Sequence, residues 1–131
     1  MFGKKEPAEI SSLIAQGTRI HGDMKFEDGL RIDGEVYGAI HSSREDGSLL
    51  VISEGALVEG GLKADHVIIN GTVKGPVEAR KRLELHPRAR IEGEVQYAVL
   101  EMQHGATILG QLRPMTAVTS QEAAPVVRLH A

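Results

Sequence analysis

The sequence predicts an all-β protein: a single-stranded parallel β-helix, or solenoid, of about six three-sided coils. The first observation is a five-residue pattern of apolar residue, any residue, Gly, any residue and apolar residue. It occurs at residues 20–24, 36–40, 58–62, 73–77, 91–95 and 108–112. The second is the period-two alternation of apolar residues around each copy, which is the spacing of a β-strand. The third is composition: 15 Gly, two Phe, two Tyr and no Trp leave small aliphatic residues to fill a narrow interior.

Two lengths of coil occur along the chain, in the order long, short, long, short, long, long. Long coils begin at residues 50, 83 and 100, with a degenerate copy at residue 12, and short coils begin at residues 30 and 67. The short type omits two residues at one corner. Each coil is long enough for three short strands joined by tight corners, and stacking the coils pairs each strand with its equivalent in parallel.

Eight glycines are predicted to be structural corners. A side chain there is expected to collide with the facing wall of the narrow interior, and Gly tolerates the backbone dihedrals of a corner. These glycines are Gly22, Gly34, Gly38, Gly60, Gly71, Gly75, Gly93 and Gly110. A phosphate-binding role needs a Gly-rich loop that opens a helix, and the repeat predicts no helix.

The repeat divides the chain into three parts. Residues 1–11 are predicted to be a flexible N-terminal tail, residues 12–112 the β-helical domain and residues 113–131 a disordered C-terminal tail. Neither flank supplies an evident cap, so both ends of the solenoid are expected to expose apolar side chains and unpaired backbone groups. We therefore predict self-association end to end. The predicted polymerisation interface is Ile14, Ile20 and Met24 at one end and Met102, Ile108 and Leu112 at the other.

The Gly-punctuated aliphatic coils, the short flanks and the start Met-Phe-Gly-Lys-Lys together resemble the bactofilins, which are bacterial cytoskeletal proteins with a β-helical core. The segment Leu-x-Ile-x-Gly-x-Val-x-Gly at residues 30–38 is typical of that family. The resemblance implies a right-handed helix and nucleotide-independent filaments built through end-to-end contacts. It also implies association with the inner face of the cytoplasmic membrane. Family members organise cell shape, cell-wall synthesis or chromosome position, often with peptidoglycan-modifying enzymes.

The first five residues predict a weak membrane anchor. Phe2 supplies an apolar group for insertion, and Lys4 and Lys5 are attracted to anionic lipid. One copy is expected to bind marginally, whereas many copies along a filament bind by avidity. No apolar run reaches the length of a membrane span and no secretory signal is evident, so we expect the protein at the cytoplasmic side of the membrane.

Six His residues raise an alternative function: a left-handed β-helix trimer acting as an acyltransferase or a zinc-dependent hydratase. That fold needs a sustained six-residue period, which is broken here in every coil, and His86 and His104 occupy different positions of the repeat. The chain has no Cys, which excludes thiolate metal ligands. We therefore expect no enzyme, no cofactor and no metal site. A monomeric adaptor whose tails cap its ends is a third possibility.

Charge adds two further expectations. The net charge of -3 argues against general binding of nucleic acid. The basic cluster Arg80, Lys81 and Arg82 is expected to be either a solvated face balanced by nearby Glu side chains or a contact for an acidic partner or anionic surface.

Residues 41–48 interrupt the coil spacing and are predicted to form a surface loop.

Overall fold

The computed structural model describes residues 10–43 and 47–115, and all the regular secondary structure within those ranges is β-strand. The strands are β1 (Ser12–Ile14), β2 (Arg19–His21), β3 (Met24–Phe26), β4 (Gly29–Ile32), β5 (Glu35–Tyr37), β6 (Ile40–Ser42), β7 (Leu49–Ile52), β8 (Leu57–Glu59), β9 (Leu62–Ile69), β10 (Thr72–Lys74), β11 (Val77–Leu85), β12 (Arg90–Glu92), β13 (Val95–Tyr97), β14 (Leu100–Met102), β15 (Thr107–Leu109) and β16 (Leu112–Pro114). Their pairings are parallel. The predicted all-β parallel solenoid is confirmed, and its right-handedness stays a prediction.

Six coils stack to form three flat faces. Face A contains β1, β4, β7, the second half of β9, the second half of β11 and β14. Face B contains β2, β5, β8, β10, β12 and β15. Face C contains β3, β6, the first half of β9, the first half of β11, β13 and β16. The long strands β9 and β11 each pass from face C to face A, so they close one coil and open the next.

The interior is a continuous aliphatic core, because each strand directs alternate residues inward and the parallel register stacks like upon like. The buried row on face A is Ile32, Ile52, Ile69 and Leu85; on face B it is Val36, Val58, Val73 and Ile91; on face C it is Ile40, Leu62, Val77 and Val95. Burial of one such side chain contributes about 1.5–3 kcal/mol. Among the core residues that the structure describes, Tyr97 is the one buried aromatic residue, at 5 % exposure, and the others are aliphatic.

One glycine per coil stacks at the corner between faces B and C. These residues are Gly22, Gly38, Gly60, Gly75, Gly93 and Gly110, with φ between +134 and +155. A Cβ added to Gly60 would lie 2.2 Å from the carbonyl oxygen of Gly38. The obstacle is therefore the backbone of the preceding coil, and the expected clash with the facing wall of the interior is wrong. Gly22 lies in the first coil of the described residues, and a Cβ there would meet no described atom within 4 Å.

The two short coils are recessed at the corner between faces A and B. A Cβ on Gly34 would lie 2.4 Å from the carbonyl oxygen of Thr18, and one on Gly71 would lie 2.4 Å from the carbonyl oxygen of Ser53. Each of these glycines thus passes directly beneath the turn of the preceding long coil. Side chains there are excluded by contact alone, since neither glycine has a positive φ.

The corner between faces C and A differs from coil to coil. Asp65 alone occupies it in β9, whereas Arg80 and Lys81 occupy it in β11, and the register shifts between Ala79 and Arg82 accordingly. A longer connection follows β6. The predicted surface loop at residues 41–48 is too long, because residues 41 and 42 lie in β6 and Ser48 is fully buried.

The described chain continues slightly beyond the predicted domain boundary. β16 extends to Pro114, and the N–H of Met115 donates a hydrogen bond of 2.6 Å to the carbonyl oxygen of Tyr97. Residues 1–9 and 116–131, which make up most of the two predicted tails, lie outside the described residues. Their disorder stays a prediction.

The glycine stack can be tested with two matched alanine substitutions. Gly60→Ala and Gly22→Ala impose the same kind of backbone strain, which costs about 1–3 kcal/mol. Only Gly60→Ala adds a clash with the neighbouring coil, which costs a further amount of about 1–3 kcal/mol. We expect urea unfolding to show the larger loss of stability for Gly60→Ala. Equal losses would mean that dihedral strain alone selects glycine at this corner.

Candidate polymerisation interfaces at the two ends of the solenoid

The first end of the solenoid is a triangle of apolar side chains, one from each face. Ile14 on face A, Ile20 on face B and Met24 on face C are half-buried and pack against the core. Their equivalents one coil further in, Ile32 and Val36, are 0 % exposed. The structure therefore brings the three predicted residues together at this end. They are more exposed because no further coil covers them among the described residues.

The second end repeats this arrangement. Met102 on face A, Ile108 on face B and Leu112 on face C are half-buried against the core. Each lies directly over a fully buried residue of the preceding coil: Leu85, Ile91 or Val95. Both ends thus present the same kind of surface, a three-sided layer of core residues with one side uncovered by the described residues.

Three further residues belong to these ends. Phe26, Leu100 and Ala106 are partly buried and pack against the core beside the predicted residues. The sequence carried the signal for all three: Phe26 follows Met24 at period two, and Leu100 and Ala106 occupy apolar positions of the repeat. Each terminal strand also has only one paired neighbour among the described strands, so one backbone edge of each is available.

The remaining sequence predictions concern the membrane segment and the absence of a metal site. Phe2, Lys4 and Lys5 lie outside the described residues, and their membrane role stays a prediction. Within residues 10–43 and 47–115, three or more His, Asp or Glu side chains are nowhere grouped to hold a metal ion. The same residues contain no helix long and apolar enough to cross a membrane.

The basic cluster is ion-paired rather than simply solvated. The Nε of Arg80 lies 2.7 Å from Oδ1 of Asp65, whose side chain is 1 % exposed. Arg82, on the outer surface, pairs with Glu101 of the next coil. The expectation of a solvated face balanced by glutamates is therefore wrong for Arg80, whose side chain is 22 % exposed and pairs with an aspartate over the corner between faces C and A.

Asp65 is the centre of this corner. Its Oδ2 accepts a hydrogen bond of 2.6 Å from the N–H of Gly47, and its own N–H donates one of 3.0 Å to Oγ of Ser48. The carboxylate therefore joins the end of the connection after β6 to the bulge of β11. A buried carboxylate is tolerated here because an arginine and a backbone N–H both satisfy it.

Hydrogen bonds lower the pKa of two surface carboxyl groups, Glu35 and Asp33. The hydroxyl of Tyr37 donates to Glu35 at 2.6 Å, which lowers the pKa of Glu35 and raises the pKa of Tyr37. The guanidinium of Arg31, 2.8 Å from Asp33, likewise lowers the pKa of Asp33. A lowered carboxyl pKa favours the fold above the unfolded pKa, and the advantage is lost as pH falls through the folded value. Glu35 and Asp33 therefore stay ionised to a lower pH than free carboxyl groups do.

Comparison with known proteins agrees with this geometry. A family model for the bactofilins, described as polymer-forming cytoskeletal, matches residues 12–113. The chain belongs to the bactofilin family. No curated protein and no solved structure matches this bactofilin significantly. The family assignment makes the chain a member of a structural, polymer-forming class, as its sequence resemblance implied.

The buried corner of this bactofilin can be tested with a matched pair of ion-pair deletions. Asp65→Ala leaves the half-buried Arg80 without its carboxylate and frees Gly47, and we expect unfolding free energy to fall by about 3 kcal/mol. Glu101→Ala removes an exposed partner of Arg82 and is expected to cost under about 1 kcal/mol. Thermal and urea unfolding measure both. Similar small losses would mean that the buried pair does not stabilise the corner.

Proposed function

We propose that this bactofilin polymerises end to end, without nucleotide, into filaments on the inner face of the cytoplasmic membrane. There the filaments scaffold cell shape or the organisation of the cell wall or chromosome, with peptidoglycan-modifying enzymes as candidate partners. The observation that carries the proposal is the pair of half-buried apolar triangles at the two ends. Apposing two such ends would complete the burial that every interior coil already has.

The free energy for assembly is available without nucleotide hydrolysis. Each junction would remove two layers of partly exposed aliphatic side chains from water, and apolar burial is favourable at about 25 cal/mol per Å². The free edges of the terminal strands would also pair across the junction, which fixes its register. Assembly then continues into a filament because every subunit has an apolar contact surface at both ends.

Membrane association is the second part of the proposal. Phe2, Lys4 and Lys5 are close in sequence to the first coil, so a filament would display one copy of this segment per subunit. A single apolar residue with two lysines binds anionic lipid weakly, at about 1 kcal/mol per lysine. Repetition along a filament multiplies the weak contacts into stable attachment.

Assembly can be tested with two leucines of the last coil. Leu112→Asp places a charge in the half-buried end layer, whereas Leu109→Asp places one on the outer surface, where Leu109 is 49 % exposed. We expect negative-stain microscopy to show loss of filaments for Leu112→Asp alone, with the β-sheet circular dichroism of both variants unchanged. Filaments formed by Leu112→Asp would contradict the assigned end.

The same design at the first end uses Ile14→Asp, with the outward-facing Leu13→Asp as its control. The products of the two end variants also report the polarity of the filament. In a head-to-tail filament either variant blocks every junction and leaves monomers. In a head-to-head filament each variant leaves dimers joined through the intact end. Sedimentation velocity separates these masses, and discrete trimers containing zinc would instead favour the enzymatic alternative.

Membrane binding is tested by Phe2→Glu. The substitution removes the inserting ring and adds a charge that anionic lipid repels, so we expect loss of co-sedimentation with anionic liposomes while filaments persist. Leu109→Asp serves as the control, because it leaves residues 2–5 and both ends of the solenoid unchanged. Phe26→Glu would be unsuitable, because Phe26 packs at the first end. Undiminished liposome binding by Phe2→Glu filaments would contradict the anchor.

A further inference from the structure

The outer surface of face A carries an ordered column of side chains, one per coil. From the first coil to the last, the column is Leu13, Arg31, Val51, Ile68, Glu84 and Glu101. After the exposed apolar Leu13 of the first coil, it changes from basic through apolar to acidic along the solenoid axis. Val51 and Ile68, at the centre, are half-buried aliphatic side chains on an outward-facing surface.

The neighbouring column on the same face follows a related order. Asp33 lies two residues after Arg31 on its strand, and His86 lies two residues after Glu84. Arg31 pairs with Asp33 at 2.8 Å, and His86 lies 3.6 Å from Glu84. The second coil therefore presents a basic and then an acidic group, whereas the fifth coil presents an acidic group and then an imidazole.

We propose that face A is a lateral interface between two copies of this chain whose solenoid axes run antiparallel. A two-fold axis parallel to the strands, through the middle of the face, reverses the order of the coils and preserves position along each strand. Val51 then faces Ile68 of the second copy, and Arg31 faces its Glu84. Asp33 faces its His86 in the neighbouring column. The apolar centre meets itself, and the second and fifth coils meet opposite charge, while Leu13 faces Glu101 of the second copy at the two outer edges.

Parallel alignment of the two axes has the opposite result. When the two-fold axis of that alignment runs along this column, it places Arg31 against Arg31 and Glu84 against Glu84 at the same heights, and like charges held opposite one another destabilise a contact. The antiparallel arrangement is an isologous contact, in which one surface is complementary to itself. A second copy of the chain is therefore the occupant that fits this face.

The size of face A sets the strength of the contact. Six coils at strand spacing are about 29 Å high, and four residues of strand are about 13 Å wide, which gives on the order of 400 Å² per copy. Stable interfaces bury about 800 Å² per partner, so two isolated subunits are expected to pair weakly. Repetition along a filament makes the pairing strong, and in this respect the inference rests on the proposed function.

Charge exchange tests the arrangement. Arg31→Glu and Glu84→Arg each place like charges on both flanks of the contact, so filaments of either variant alone are expected to remain single in electron micrographs. A one-to-one mixture restores attraction on both flanks. The glutamate introduced at position 31 of one chain meets the arginine introduced at position 84 of the other, and the unmodified Arg31 and Glu84 meet on the opposite flank. We expect paired filaments from the mixture and from the double variant Arg31→Glu/Glu84→Arg.

Matched controls lie on face B in the same two coils. Glu35→Arg and Arg90→Glu reverse charges in the second and fifth coils without altering face A, and we expect their filaments to pair as the unmodified chain does. Pairing lost in these variants but kept in the face A variants would overturn the proposal. Single filaments in every sample, the unmodified chain included, would also overturn it while leaving end-to-end assembly intact.

Cross-linking provides a readout that needs no filaments. The chain has no Cys, so Arg31→Cys and Glu84→Cys each introduce a unique thiol. The two positions are three coils apart, about 14 Å, in one chain. A short bis-maleimide reagent is expected to join the two variants when they are mixed at high concentration, and to join neither variant alone. Cross-links within a single variant, or none in the mixture, would contradict the antiparallel register even if filaments never form.

Discussion

The parallel register between successive coils is the constraint on which this molecule depends. Each strand hydrogen-bonds to its equivalent in the coil above and the coil below, so the corners must recur at the same positions. At the corner between faces B and C the carbonyl of one glycine lies where the Cβ of the next would be. A side chain there would push two coils apart and weaken the pairing of all three faces. The glycine spacing is thus the condition for stacking.

The ends follow from the same constraint. Stacking makes the burial of each coil depend on two neighbours, and a terminal coil has one. Residues chemically equivalent to the core are therefore left half-exposed at both ends without any dedicated recognition motif. The three outer faces play a different part, because their columns carry charge patterns that the interior does not determine. In this fold a single register governs the core, the ends and the arrangement of the outer surface.

Much of this could be predicted from the sequence because the repeat is strict. Period-two apolar residues and regular glycines were enough to place the coils, the inward rows and the six end residues, from Ile14 to Leu112. Phe26, Leu100 and Ala106 lie at further apolar positions of the same repeat, so extending the pattern would have predicted that they lie at the ends. The outer column of face A follows from the same alignment, because Arg31 and Glu84 are each the second residue of their coil. The corner at Asp65 was unpredictable, because its burial depends on Arg80 in the next coil and on Gly47 and Ser48 in the preceding one. The loop prediction at residues 41–48 failed here too, because a polar stretch can end in a buried serine when another coil supplies its partner.

That corner has a consequence for how the chain finds its fold. Near-identical coils can stack one step out of place, because an aliphatic row slipped by one coil still buries aliphatic residues. A slipped stack would bury Asp65 without Arg80, and an uncompensated charge in the interior is strongly unfavourable. The buried ion pair between Asp65 and Arg80, which interrupts the repeat, therefore favours the native order of the coils over a stack slipped by one coil.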